Sequence, residues 1–285
     1  MFNKNDKIGI VACSNAINIK KKKEIDELIS ILKNIGLIPI LSNNIFSDNS
    51  IFCGSGMEKA KSLMDFYNDK EIKAIFDISG GDIANKILDF LDYEVIKNNI
   101  KPFFGYSDLT TVINALYKKV GAVSYLYQVR NFVSEFKEKQ TRDFYESFFL
   151  CKNNLFDFKY KFIKGDVIQG IVIGGNIRCL LKLAGTEYLP DFQNKVLFLE
   201  SRSGNEDVMT SYLNQLNQMG VFDKINGVIL GRFSQMESKV KPKVEDIVLK
   251  ITSDKDIPIV KTSDIGHNKD SKCMIIGKEI CLKDK

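Results

Sequence analysis

Ala74-Ile75-Phe76-Asp77-Ile78-Ser79-Gly80-Gly81-Asp82 is the stretch on which the architecture turns. Five residues, apolar but for Asp77, read as a strand, and it runs into paired glycines. Beyond the glycines Ile83, Ile87, Leu88 and Leu91 recur at helical spacing. Strand, glycine turn and amphipathic helix in that order make half of a βαβ unit. The same rhythm extends in both directions. Residues 7–12 predict a buried strand and residues 22–34 a helix closed by Gly36. Residues 37–41 predict a second strand, placed at an edge by Pro39. A helix is expected over residues 56–68 with Met57, Ala60, Leu63 and Met64 on one face. A strand at 102–106 then enters a helix at 109–117.

Residues 131–165 break the rhythm and predict a helix followed by a linking strand region. Past them residues 167–173 read as a strand, Gly174-Gly175-Asn176 as a tight turn and residues 177–184 as a helix. Strands at 196–199, 227–230 and 257–260 alternate with helices at 209–219 and 244–251. Residues 273–282 read as a closing β-hairpin turning at Gly277-Lys278. The fold class expected is α/β: an N-terminal Rossmann-like (flavodoxin-like) parallel-sheet domain over residues 1–150, a linker over 151–165, and a smaller C-terminal α/β domain over 166–285.

Composition narrows the function classes. The chain has 285 residues, 44% hydrophobic and 27% charged, which is ordinary for a globular protein with a sizeable core. No stretch approaches the ~18–20 apolar residues of a membrane span, and the short apolar run near the start lacks a signal-peptide pattern. A cytoplasmic location is expected, with no membrane partner. The 6 cysteines are scattered singly, which suggests neither a zinc site nor a disulfide framework. The net charge of +5 is mostly lysine. The only run, Lys20-Lys21-Lys22-Lys23, precedes an amphipathic helix and lacks interleaved arginines or aromatics, so it reads as a solvated first turn, not a nucleic-acid patch.

In open parallel sheets ligands collect at the carboxyl ends of strands, and four residue sets fall at such ends. Gly105-Tyr106-Ser107-Asp108 can hold a serine hydroxyl exposed at a strand-to-helix turn, with a helix N-terminus behind it. A plain N-cap by Ser107 or Asp108 serves the same residues. Gly80-Gly81 can turn backbone N–H groups toward a ligand or simply make a tight turn. Glu200, ending an apolar strand, can orient a histidine or be a solvated strand end. The chain has 1 histidine, His267, in a glycine-containing loop past residues 257–260. No further ligands accompany it, so no metal site is expected. The chain order Ser107, Glu200, His267 is one that hydrolytic triads adopt on α/β scaffolds.

These residues resemble the LD-carboxypeptidases and the related microcin C self-immunity peptidases. The similarity runs through Ile8-Gly9-Ile10-Val11-Ala12, Gly105-Tyr106-Ser107-Asp108, Gly174-Gly175-Asn176, Leu197-Phe198-Leu199-Glu200, Gly227-Val228-Ile229-Leu230-Gly231-Arg232-Phe233 and Gly266-His267. The resemblance implies a serine peptidase with Ser107 as nucleophile, His267 as general base and acid, and Glu200 as its orienting carboxylate. It further implies an oxyanion hole from the backbone N–H groups of Gly81 and Asp108, no cofactor, no metal, and a homodimer. The triad would be assembled across the domain junction. Gly80, Asp82, Asn176 and Arg232 are candidates for substrate binding, Arg232 by its charge near a strand end.

Departures from the family pattern bear on the substrate. Ser79 and Asp82 flank the glycine pair where many LD-carboxypeptidases carry an arginine and an aromatic, which is closer to the immunity branch. That branch is associated with a tryptophan stacking on a nucleotide base, and this chain has 0 tryptophans. Ser124-Tyr125-Leu126-Tyr127-Gln128 stands where a Gly-Pro is common, and Cys13 where a proline is common. The leading expectation is cleavage of a terminal D-amino acid from an L-centre in murein tetrapeptides. The alternatives are hydrolysis of microcin C-like peptidyl or aminoacyl nucleotides and, from another class, a noncatalytic ligand-binding α/β protein.

Overall fold

The computed structural model describes residues 1–237 and 242–284. The first half runs β1 (Lys7–Val11), β2 (Ile17–Asn18), α1 (Lys22–Asn34), β3 (Ile38–Leu41), β4 (Phe46–Ser47), α2 (Gly56–Asn68), β5 (Ile72–Asp77), α3 (Tyr93–Asn98), β6 (Phe103–Gly105), α4 (Thr110–Val120), β7 (Ser124–Leu126) and α5 (Lys137–Phe148). The second half runs β8 (Lys161–Lys164), β9 (Val167–Asn176), α6 (Ile177–Leu181), β10 (Lys195–Ser201), α7 (Glu206–Gln218), β11 (Gly227–Phe233), α8 (Ser234–Glu237), α9 (Val244–Ile251), β12 (Ile259–Lys261), β13 (Met274–Ile276) and β14 (Glu279–Lys283).

Two six-stranded sheets result, ordered β13-β7-β6-β5-β1-β3 and β14-β9-β10-β11-β12-β8. In the first, β3, β1, β5, β6 and β7 are parallel. That is the 2-1-3-4-5 order of flavodoxin-like folds, whose ligand crevice lies where the order reverses, here between β1 and β5. Strand β1 is buried from Ile8 to Val11, as a strand covered by helices on both faces must be. Pro39 does lie in the edge strand β3. Ser55 and Glu58 close a reciprocal capping box at the start of α2, satisfying two otherwise orphaned N–H groups.

Several expectations are corrected. Met57 is exposed, and α2 packs through Ala60, Leu63, Phe66 and Tyr67. The segment after the glycine pair is a 3-10 helix, Ala84–Phe90, too tightly wound for the 3.6-residue face read from its leucines and isoleucines. The strand region expected after the helix in residues 131–165 is β8, at the edge of the second sheet.

Gly174-Gly175-Asn176 is no turn but the end of β9, hydrogen-bonded to β10. Its glycines take φ of +105° and +137°, and a Cβ on Gly175 would lie 2.6 Å from Thr110 Oγ1. The glycines permit a strand bent against α4, and composition alone reads that as a turn.

The closing hairpin is also absent. β13 pairs antiparallel with β7 of the first sheet and β14 antiparallel with β9 of the second. Gly277 and Lys278 therefore carry the chain between sheets. One core cluster mixes Ile75, Phe103 and Val112 with Val172, Phe198 and Ile229, so the halves share buried apolar surface.

Candidate active site

Ser107 follows β6 at the head of a short 3-10 turn leading into α4. Its φ is +58°, the left-handed region that L-residues with a side chain seldom occupy. Such strain is sustained only where the surroundings enforce it, and it belongs to sharp strand-to-helix turns that lift a hydroxyl clear of the backbone. The surroundings are extensive. The carboxylate of Asp108 is fully buried and accepts from the Ser14 hydroxyl at 2.6 Å, the Ala84 N–H at 2.7 Å and Lys182 Nζ at 2.5 Å. Three separate segments thus grip the residue next to Ser107.

Glu200 lies within β10, not beyond it, and is fully buried. Its Oε2 is 2.6 Å from His267 Nδ1, and its Oε1 accepts from Asn176 Nδ2 at 3.0 Å. A carboxylate oxygen beside Nδ1 makes that nitrogen the donor, and Nε2 is the ring nitrogen turned away from Glu200. Nε2 is buried without a hydrogen-bond partner. The Tyr106 ring packs edge-on to the imidazole at 4.9 Å. Burial, with the Glu200 carboxylate beside it, pushes the Tyr106 phenol well above its usual range, so it stays neutral.

Ser107 and His267 line one cleft of about 460 Å³, together with Asn15, Gly80, Gly81 and Arg130. It opens over the carboxyl ends of β1, β5, β6 and β7, spanning the order reversal of the first sheet, and the loop after β12 closes it from the second half. Gly81 adopts φ +133°, and a Cβ there would lie 2.2 Å from the Asn15 side chain. Only glycine fits that close approach.

Four of the sequence candidates find other partners. Asp82 lies outside the cleft wall, paired with Arg178 and, at 3.6 Å, with Lys182. Asn176 caps α6 and holds Glu200 rather than facing the cleft. Arg232 pairs with Glu237 at 2.9 Å and does not line the cleft. The Asp108 side chain is taken up by Ser14, Ala84 and Lys182. Gly80 does line the cleft. Sequence reasoning missed Thr110 and Asn114, which join α4 to β9. The Asn114 amide pairs with both backbone groups of Gly174 at 2.8 and 2.9 Å, and Thr110 Oγ1 accepts from the Asn176 N–H at 3.0 Å. Their signal was polar residues interleaved with Val112, Ile113, Ala115 and Leu116 in the first turns of the helix. Arg130 was missed as well, in a segment without periodicity. Lys21, from the run read as a solvated first turn, reaches the cleft rim. Among the described residues no group of three potential ligands could hold a metal, and no helix is long and apolar enough to cross a membrane.

One cleft on a two-sheet α/β scaffold is thus lined by a serine on a strained turn and by a histidine backed by a buried carboxylate. Sequence models of the LD-carboxypeptidase N-terminal domain match residues 8–127, and of its C-terminal domain residues 169–282. The chain belongs to the LD-carboxypeptidase family, a family of peptidases. It is 23% identical to the Microcin C7 self-immunity protein MccF of Escherichia coli, covering 97% of this chain and 90% of that protein. A structure of an MccF-like protein from Bacillus anthracis str. Ames superposes with a TM-score of 0.88 at 24% identity, covering 100% of this chain and 95% of that one. The muramoyltetrapeptide carboxypeptidase from Oxalobacter formigenes superposes at 0.80 and 23% identity, covering 98% and 95%. MccF itself has been solved with aspartyl sulfamoyl adenosine and with glutamyl sulfamoyl guanosine.

Proposed function

We propose that the chain is a serine carboxypeptidase that cleaves the amide bond between an L-centre and a terminal D-amino acid, as in murein tetrapeptides, through an acyl-enzyme. The observation that carries this reading is the 2.6 Å contact of His267 Nδ1 with buried Glu200, which supports Nε2 as the base in the cleft that Ser107 lines. Nε2 takes the Ser107 proton as Oγ attacks the scissile carbonyl carbon, and the Glu200 carboxylate stabilises the imidazolium. The oxyanion is received by the N–H groups of Gly81 and Asp108, at the glycine turn and at the head of α4. His267 then gives its proton to the leaving amine, and a water activated by the same nitrogen resolves the ester.

A second reading, hydrolysis of aminoacyl or peptidyl nucleotides, is favoured by the charge of the cleft. Lys21, Arg130, Arg202 and Lys269 line it without any Asp or Glu, a field that draws phosphate as readily as carboxylate. The absence of tryptophan weighs against stacking of a base in the manner implied for the immunity branch. Incubation with a murein tetrapeptide and, separately, with an aminoacyl sulfamoyl adenosine, followed by mass analysis of products, decides between them. The expected result is free D-alanine from the peptide only. Turnover of the nucleotide conjugate with an intact tetrapeptide overturns the leading reading.

A further inference from the structure

Arg130 sits on the 3-10 turn Val129–Val133 that follows β7. It lines the same cleft as Ser107 and His267. Its Nε is buried with no hydrogen-bond partner, and among the described residues no carboxylate pairs with the guanidinium. Glu24 and Asp77 act on it through space. The oxygens of Asp77 are already taken by the N–H groups of Cys13 and Ser79 and by the Ser79 hydroxyl. The other three cations of the cleft, Lys21, Arg202 and Lys269, are exposed, so water satisfies them. A desolvated guanidinium donor left unpaired is costly, and an anion with two oxygens matches its planar fork.

We infer that Arg130 binds a two-oxygen anionic group of the substrate, a carboxylate or a phosphate, at the reacting end of the cleft, and is the specificity-determining residue there. Its identification as the α-carboxylate of the departing D-residue rests on the carboxypeptidase reading above; the presence of an anion site does not. Arg202, Lys21 and Lys269 supply the longer-range field that brings the anion in.

Binding of N-acetyl-D-alanine, N-acetyl-D-alaninamide and adenosine monophosphate to the full chain, measured by calorimetry, tests this with the wild type, Arg130→Gln and Arg130→Lys. Circular dichroism melts establish that each variant folds. The carboxylate probe is expected to bind the wild type and to lose about tenfold or more in Arg130→Gln, with partial recovery in Arg130→Lys, which keeps the charge without the fork. The amide probe should respond to neither change. In turnover, Arg130→Gln should lower kcat/KM for the tetrapeptide by about ten- to a hundredfold, carried by KM. If only adenosine monophosphate shows dependence on Arg130, the anion is a phosphate, and the α-carboxylate assignment falls. No binding of either anionic probe by the wild type, or equal binding by wild type and Arg130→Gln, overturns the inference whether or not the peptide is hydrolysed.

Discussion

At the scale of single residues, His267 is held by two neighbours, Glu200 at Nδ1 and Tyr106 in a T-shaped ring contact. Glu200→Gln keeps the volume but can present an amide N–H to Nδ1, which reverses the tautomer and leaves Nε2 protonated. The expected outcome is a fall in kcat of about ten-thousandfold with little change in KM, measured by D-alanine release. Because the chain has 1 histidine, its imidazole proton resonances can be followed without assignment. Those resonances should shift when a non-hydrolysable substrate analogue binds, and unchanged resonances at saturation would remove His267 from the role of base. Ser107, Glu200 and His267 stood out in the sequence by their places at or beyond apolar strands, and the structure brings Glu200 against His267 and lines one cleft with Ser107 and His267. The residues that hold them did not stand out. Asn176 looked like a pocket residue, yet it is spent on Glu200, because a side chain's direction at a bent strand end depends on tertiary contacts.

At the scale of elements, the helix behind Ser107 and the strand that carries Asn176 are joined by polar contacts. Asn114 satisfies both the N–H and the C=O of Gly174, where β9 bends. Asn114→Ala leaves those two buried backbone groups unpaired, which should cost about 2–4 kcal/mol in chemical denaturation. It should also lower kcat more than KM, since it loosens Ser107 against Glu200. A stability loss without any effect on turnover would separate the joint from the site. Element types were readable wherever apolar spacing was long and regular, as in α1, α2 and α9. They were misread where glycines served a close approach, as at Gly174-Gly175, and where a 3-10 winding carried an apolar spacing of three and four. Local pattern cannot distinguish a turn from a strand kinked by a neighbouring helix.

At the scale of the whole molecule, the closing segment stitches the two sheets, with β13 in one and β14 in the other. A two-strand reading of that segment was sound, but strand partners lie far away in sequence and leave no mark on local periodicity. Ile276 is fully buried in the cluster shared by both halves. Ile276→Ala should therefore destabilise by about 2–4 kcal/mol while unfolding stays a single transition. Two transitions would mean that the halves fold independently. The same sharing lets one half hold Ser107 and the other hold Glu200 and His267 in register. Residues that act as a unit give losses that do not multiply. The most direct measurement is therefore the rate of D-alanine release by the Ser107→Ala/His267→Ala double variant beside the two single variants. The account predicts that each single change costs most of the catalysis and that the double costs no more than the worse single. Losses that multiply, or turnover that survives in Ser107→Ala, would contradict it.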